Sequence, residues 1–524
     1  MPIDPSTVLG PEVLASPEAR DALATMQRLT AELLQRQGPI QRRMDYYRGD
    51  HPLAYASEEF QRYMGDRFAG FNDNWTAPVV QTTAERLDVL GIRLDSALRP
   101  DEDLNRVWRA NNAERGSSEV FVVGLAAARA FALVWGDPDD EETPLITWER
   151  PDQAIVGYAA DSGKPVAGLK LWLDLEAGME FATLYTRSAV WKFQRVGGHA
   201  YMRHEPRPAV LPSGGWQPRQ PPGDDVWPIP NPMDTVPLVE FRNQTLLDDA
   251  PISDIDGVIA MQDAVNLIWA YLMNALDYAS LKQRVVLGAD IPRVPILNDQ
   301  GQQIGERPVD LDQLIKDRIL WVPGDGASIA EWSAANLDVF SAVIERAIEH
   351  IAAQTRTPPH YLIGKIANLS AEALTAADAG QVSKAGERLT YFTPSVRRVF
   401  SLVALAQGNE AKARAAISGR IVWKDIQFRA LAQKVDALQK LKDIGFPFEW
   451  IAEQYGLEPS EVARVLEMKD KEAEADPVAA IVQQMGQGSL NGPPQLQDPN
   501  APPDPGQPPA PPQPAPQPPP VPAA

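Results

Sequence analysis

The sequence predicts an α+β protein, mainly helical and built of several domains, and three observations predict it. Residues 336–407 read as a helix, a short prolyl loop and a second, much longer helix. A matching apolar helix lies upstream at 254–283, and the residues between, 284–335, are β-like and rich in turns. Residues 130–241 hold short β-branched or aromatic runs broken by Gly, Asp and Pro, the signature of strands.

The stretch 336–407 organises the rest. Leu337, Phe340, Ile344, Ala347, Ile348 and Ile351 recur at three- and four-residue steps. Asp338, Glu345, Arg346 and Glu349 fill the other face, so 337–354 reads as an amphipathic helix. Thr357-Pro358-Pro359 removes amide donors and forces the chain out of helix, and Gly364 lets it turn. Residues 355–368 therefore read as a loop. Asn368 or Ser370 caps the next helix, with Glu372 near its positive end. That helix runs to Gln407, about 55–60 Å at 1.5 Å per residue. Pro394 is expected to kink it. Upstream, Ile255, Val258, Ile259, Val265, Ile268, Trp269, Leu272, Leu276 and Ala279 form one stripe.

Around this frame the chain reads in order. Residues 17–48 are helical, with Pro39 restarting the helix and Gly49 stopping it. Residues 75–90 are a helix running into a strand, and 104–128 are helical again. The most apolar stretch, 120–135, contains Arg129 and is short for a bilayer, so it reads as a buried helix leading into a strand. Strands are expected at 146–148, 154–158, 166–172, 180–185, 189–193 and 236–241, with an irregular loop at 206–237. The insertion between the two apolar helices holds strands at 285–287 and 319–322 and a short helix at 310–316. A strand at 419–423 follows the long helix. Helices at 428–444 and 447–468 then join at Gly445-Phe446-Pro447, with Pro459 marking a further start. Beyond 485 the Pro/Gln/Ala tail reads as disordered, with polyproline II character.

Composition narrows the function. The net charge is −21 over 524 residues, so tight grip on nucleic acid or an anionic membrane is not expected. There are no cysteines, which excludes disulfides and thiol chemistry. The N-terminus lacks the basic and apolar regions of a secretory signal. No G-x-x-x-x-G-K-[ST] or H-E-x-x-H motif exists, and the five histidines are scattered. No catalytic residue, cofactor or metal site is therefore expected. The run Asp137–Glu142 lacks the spacing and glycine of a calcium loop and reads as solvated.

Five phrases bring a known family into view: YYRGDHPL at 46–53, ERL with Gly91 at 85–91, VPLVEFRN at 236–243, TPPHYLIG at 357–364 and NLSAEAL at 368–374. With the order of elements, they make the chain resemble the portal proteins of long-tailed bacteriophages. The resemblance implies a multi-domain portal fold assembling as a ring. Residues 1–253 would form N-terminal helices and a β-rich wing, 254–283 and 336–354 the stem helices, and 284–335 the clip. Residues 355–368 would be a tunnel loop, 369–427 the long kinked helix and a strand returning to the wing, 428–485 crown helices, and 486–524 the Pro-rich tail.

The implied function is a DNA channel at one capsid vertex, serving packaging, ejection and head–tail joining. Implied partners are copies of itself, twelve to a ring, the terminase large subunit that is the packaging ATPase, a head–tail adaptor, major capsid and scaffolding proteins, and double-stranded DNA in transit, with no membrane. Assembly would occur in the bacterial cytoplasm. Lys365 is the candidate phosphate contact in the loop, with Arg356 and His360 nearby. Asp263, Asp277, Asp338, Glu345 and Glu349 are candidate channel-lining acids that would repel DNA, or inter-subunit salt-bridge partners. Twelve copies would carry about −250. Two other classes stay open: another virion structural protein, such as an adaptor or minor capsid protein, and a soluble enzyme with a carboxylate site in the β-rich region.

Overall fold

A computed structural model describes residues 9, 11–53, 56–58, 60–62, 73–95, 97, 99–174, 179–196, 215–221, 226–247, 250–280, 284–288, 293–298, 300–308, 319–322, 326, 328–331, 336–363, 371–427, 431–457 and 459–475. The expected helix at 310–316, the caps at Asn368 and Ser370, and the tail beyond 485 lie outside these residues. The chain divides into two units, Met1–Pro459 and Ser460–Ala524.

Ser16 starts the first long helix, α1 (Pro17–Arg48), by accepting the Ala19 amide at 3.0 Å. Gly49 ends it in the left-handed conformation, φ 89°, where a side chain would be strained. Pro39 lies inside α1 and does not restart it. One lost amide donor is tolerated because Met26, Leu29 and Leu33 before it and Ile40 and Tyr46 after it are buried.

Next come α2 (Thr76–Ala84), β1 (Val89–Arg93), α3 (Glu102–Ala110) and α4 (Ala113–Ala127). β2 (Arg129–Trp135) is the strand expected at the end of 120–135, and β4 (Ala154–Tyr158) has the expected bounds, while β3 (Leu145–Glu149), β5 (Pro165–Asp174), β6 (Met179–Thr186) and β7 (Ala189–Val196) extend the expected strands by a few residues. The loop expected at 206–237 includes two short pairings, β8 (Gln217–Pro218) and β9 (Ile229–Pro230), both on β7. β10 (Leu238–Arg242) pairs with β2 in a three-stranded sheet of order β10–β2–β3. The larger sheet runs β4–β5–β6–β7–β8.

Then follow α5 (Ile259–Ser280), five strands, and α6 (Asp338–Thr355). The strands are β11 (Arg284–Leu287), β12 (Arg293–Leu297), β13 (Gln303–Pro308), β14 (Ile319–Val322) and β15 (Ser328–Glu331). β11 lies between β14, parallel, and β15, antiparallel, while β12 and β13 form a hairpin. After α7 (Pro359–Ile363) comes α8 (Ala371–Ala406), 36 residues and about 54 Å long. Last come α9 (Glu410–Ser418), β16 (Arg420–Trp423), which pairs with β1, then α10 (Leu431–Asp443) and α11 (Phe448–Tyr455). In the second unit α12 (Pro459–Ala475) begins at the expected proline. No helix among the described residues is long and apolar enough to cross a membrane.

The upstream apolar helix, α5, starts later than its apolar period suggests. Ile255 and Val258 are fully buried, yet residues 254–258 are turns and the helix begins at Ile259. Side chains dictate this: Asp256 accepts the Ser253 amide at 3.1 Å and receives Arg43 at 2.8 and 2.7 Å.

One core joins the end of α1, α2–α6, the β10–β2–β3 sheet and the second half of α8. Phe121 and Phe392 stack at its centre, 5.4 Å between centroids. The first half of α1 packs instead on the larger sheet, through Met26, Leu29 and Leu33 against Leu169, Leu184 and Phe193. Phe131, Leu133, Val156, Val236 and Leu238 form a third cluster.

Candidate functional site

The turn between α6 and α8 is built on a buried base. Arg356 takes a left-handed conformation, φ 54°, and its amide closes α6 on the Ala352 and Ala353 carbonyls. The Thr355 hydroxyl donates to the Ile351 carbonyl at 2.7 Å, and the Thr357 amide to Ala352 at 2.9 Å. The two prolines break the helix for less than a turn. Pro358 is buried and Pro359 begins α7, where a missing amide leaves nothing unpaired. The segment expected to be wholly loop therefore contains a helical turn.

Three charged clusters fix this base to its surroundings. Arg86, in the α2–β1 link, donates to both oxygens of Asp378 on α8, at 2.8 and 3.1 Å. It also donates to the Tyr361 hydroxyl at 3.2 Å and the Ile426 carbonyl at 2.9 Å. One arginine thus joins α7, α8 and the segment leading to α10. Further along α8, Lys384 and Arg388 meet the buried Asp254 carboxylate at 3.1 and 3.0 Å. Burial pushes the Lys384 ammonium below the usual lysine range, and Asp254 opposes that shift. The third cluster lies on α5: the Tyr46 hydroxyl donates to Asp263, His51 stacks on Tyr46 at 4.8 Å, and the Asn266 amide lies 2.9 Å from His51 Nδ1.

The candidate site residues separate on this framework. Asp263 does not line an accessible face: it is 3% exposed within one chain and bound to Tyr46, which corrects the expectation that it faces a channel. Asp338, Glu345 and Glu349 all lie on the exposed side of α6. Asp277 lies in α5, its side chain outside the described residues, and Lys365 is outside them altogether. Arg356 is exposed and pairs with Glu387 at 3.2 Å, while half-buried His360 packs on Tyr361 at 4.6 Å. Both sit at the base of the turn. Pro394 lies inside α8, exposed.

Burial also raises the Tyr46 hydroxyl to about 12 and the Asp263 carboxyl above the usual carboxylate range. A carboxyl whose folded pKa exceeds its unfolded value, about 3.9, weakens the fold when ionised. That cost is relieved as pH falls through the folded pKa. Asp263→Asn keeps an acceptor for Tyr46 and no longer titrates. Its melting temperature relative to the parent is expected to be highest at pH 7 and to decline toward pH 4. A difference that does not change with pH would refute the assignment.

In the β-rich region the buried carboxylates Glu149, Glu180 and Glu240 are each held by a cation: Lys170 at 2.6 Å, Arg195 at 2.5 Å, and Arg129 at 2.8 Å. Paired in this way they serve packing. Among the described residues no group of three His, Cys, Asp or Glu is placed to hold a metal.

What the clusters define is a scaffold in which α1 is tied to α5, and α8 to the residues before α5 and to the α2–β1 link, through buried charged side chains. The family model for phage portal proteins, SPP1 Gp6-like, matches residues 27–475, and the chain belongs to that family. The portal protein of Mycobacterium phage D29 is 26% identical over 426 residues, covering 76% of this chain and 81% of that protein. The portal protein of Mycobacterium phage L5 is 26% identical over 402 residues, 74% of each. Among solved structures, a chain from the neck of an empty GTA particle aligns over 77% of this chain and 95% of its own, at 15% identity and a TM-score of 0.38.

Proposed function

We propose that this portal protein closes into a ring of twelve around a DNA channel at one capsid vertex, for packaging, ejection and head–tail joining. The observation that carries the ring is an uncovered apolar face. On α6, Val339 is 57% exposed and Val343 47%, and on α5 Tyr271 and Leu276 are exposed as well. The other ends of both helices are covered by their own chain, through Ile259, Val265, Ile348 and Ile351. Self-association is therefore needed for one half of the helix pair, not for all of it. A heterologous contact that closes on itself covers such faces and leaves a central hole.

In this reading α5 and α6 are the stem, β11–β15 the clip toward the terminase large subunit and later the adaptor, the two sheets the wing, and α10–α12 the crown. Capsid and scaffolding proteins would surround the ring. The loop after Ile363 reaches the DNA through Lys365. Arg356, engaged by Glu387, and His360 act as its base, not its tip. Asp338, Glu345 and Glu349, with Asp277, supply negative charge along the channel, and Pro394 bends α8. Electron micrographs of the purified chain test the proposal. Radially symmetric particles with an axial hole are expected, and a stable single chain by light scattering would end it.

A further inference from the structure

Beside Pro394 a cleft of about 640 Å³ opens between α8, the β4–β5 turn and the segment leading into β10. Its volume lies in the range of clefts that hold a sizeable ligand. Pro165, Leu238 and Ile417 give it an apolar floor, and Lys164, Arg187 and Arg398 border it.

The charges do not balance. Arg187 is paired with Asp234 at 2.8 Å, and Glu240 with Arg129 and Arg242 at 2.8 and 2.9 Å. Among the described residues Lys164 and Arg398 have no carboxylate partner; the Arg398 guanidinium donates to the Thr235 hydroxyl instead. Burial holds Arg398 below the usual arginine range, with no acidic group opposing the shift. An uncompensated, half-buried arginine is unexpected in a chain with 70 acidic and 49 basic residues.

We propose that this cleft receives an acidic segment of a second copy of the chain, the β2–β3 connection at residues 136–144. This inference rests on the ring reading above. Asp139, Asp140, Glu141 and Glu142 are exposed there, and Leu145 beside them is an exposed apolar group. The Glu142 carbonyl accepts from Arg106 at 2.9 Å and Gln407 at 2.8 Å, so the run is presented on a fixed backbone. The cleft borders the start of β10 and this connection follows the end of β2, its antiparallel neighbour, so the two patches lie on different strands at the same end of that sheet. One subunit thus carries two unlike, complementary patches, as a closed head-to-tail ring requires.

Carbodiimide coupling of particles assembled from mixed unlabelled and 15N-labelled chains tests this. An amide between Lys164 of one isotope and a carboxylate at 139–142 of the other is expected. Arg398→Gln should lower its yield about fivefold while particles still form. Particles in which Lys164 couples only within its own chain overturn the inference and leave the ring intact. So does protection of Lys164 by inorganic phosphate without any mixed-isotope link, which would assign the cleft to a free oxyanion. Absence of particles overturns the ring reading, and this inference with it.

Discussion

Replacing Asp254 with alanine is expected to lower the stability of the folded chain by about 3–5 kcal/mol, the cost of breaking a buried ion pair from one side. The Asp254 side chain is fully buried and lies against two cations, Lys384 at 3.1 Å and Arg388 at 3.0 Å, with the Asn243 amide at 2.8 Å. Among the described residues no other carboxylate is paired with that lysine, so alanine strands its charge in a buried site and leaves Arg388 with Glu387 at 3.5 Å. Asp254→Asn keeps the shape and should lose less. In Asp254→Ala/Lys384→Met the second change removes one stranded charge, so the pair should be less destabilised than the two single losses added together, by about 0.5–3 kcal/mol. Urea unfolding followed by tryptophan fluorescence measures the parent, Asp254→Ala, Asp254→Asn, Lys384→Met and the double variant. A loss below about 1 kcal/mol for Asp254→Ala would mean that water reaches the cluster and that it does not tie α8 to the turns before α5.

That cluster also marks what the sequence conceals. Periodicity finds α6, most of α5 and the full run of α8, because their apolar stripes are local and regular. It fails at Asp254, where Ile255 and Val258 continue the apolar period while Ser253 and Asp256 bind the backbone as turns. Turn chemistry competes with helix there, and only Arg43, 213 positions away, shows which wins. Asp263 misleads for the same reason. It belongs to the polar side of α5 with Gln262 and Asn266, a side that normally faces water. Here Tyr46 and His51 cover it. The YYRGDHPL phrase thus has a physical role beyond ending a helix, since its tyrosine and histidine grip α5. The sequence does carry one clue, a cluster of three hydrogen-bonding residues within the apolar first half of the helix.

The short helix α9 and the β12–β13 hairpin were not legible either. α9 offers only Ala413 and Ala416 as buried apolar residues, too small a stripe to register. The hairpin is exposed throughout β12 and includes Pro295 and Pro308, so neither alternation nor composition favours strand. What forms its turn is Asn298, whose side chain accepts the Gln300 and Gln302 amides at 3.0 and 2.8 Å. Gly301 adds the left-handed residue, φ 76°. Arg86 is a further case. Its position in an ERL phrase suggests a helix end, whereas its contacts lie on Asp378 and Ile426, 292 and 340 positions away.

Val339→Asp combined with Val343→Asp is expected to abolish ring formation while leaving the subunit folded. Both valines are exposed in the single chain, so the change removes no packing from the subunit's own core, and surface substitutions of this kind usually alter stability by less than about 0.5 kcal/mol. In the proposed ring the same positions would be buried, and each unpaired carboxylate would then cost several kcal/mol at every interface. Because the contact repeats around the ring, the penalty is incurred at each step of assembly. Light scattering should therefore report single chains with unchanged circular dichroism and melting temperature. Asp338, Glu345 and Glu349 already lie on the exposed side of α6, so two further acids also add repulsion between neighbouring helices. Val339→Ala with Val343→Ala separates the two effects, since it removes apolar area without adding charge and should weaken rings without preventing them. Rings formed at parental yield by the aspartate variant would show that this face points to solvent, and the apolar contact between copies would have to be sought elsewhere on the chain.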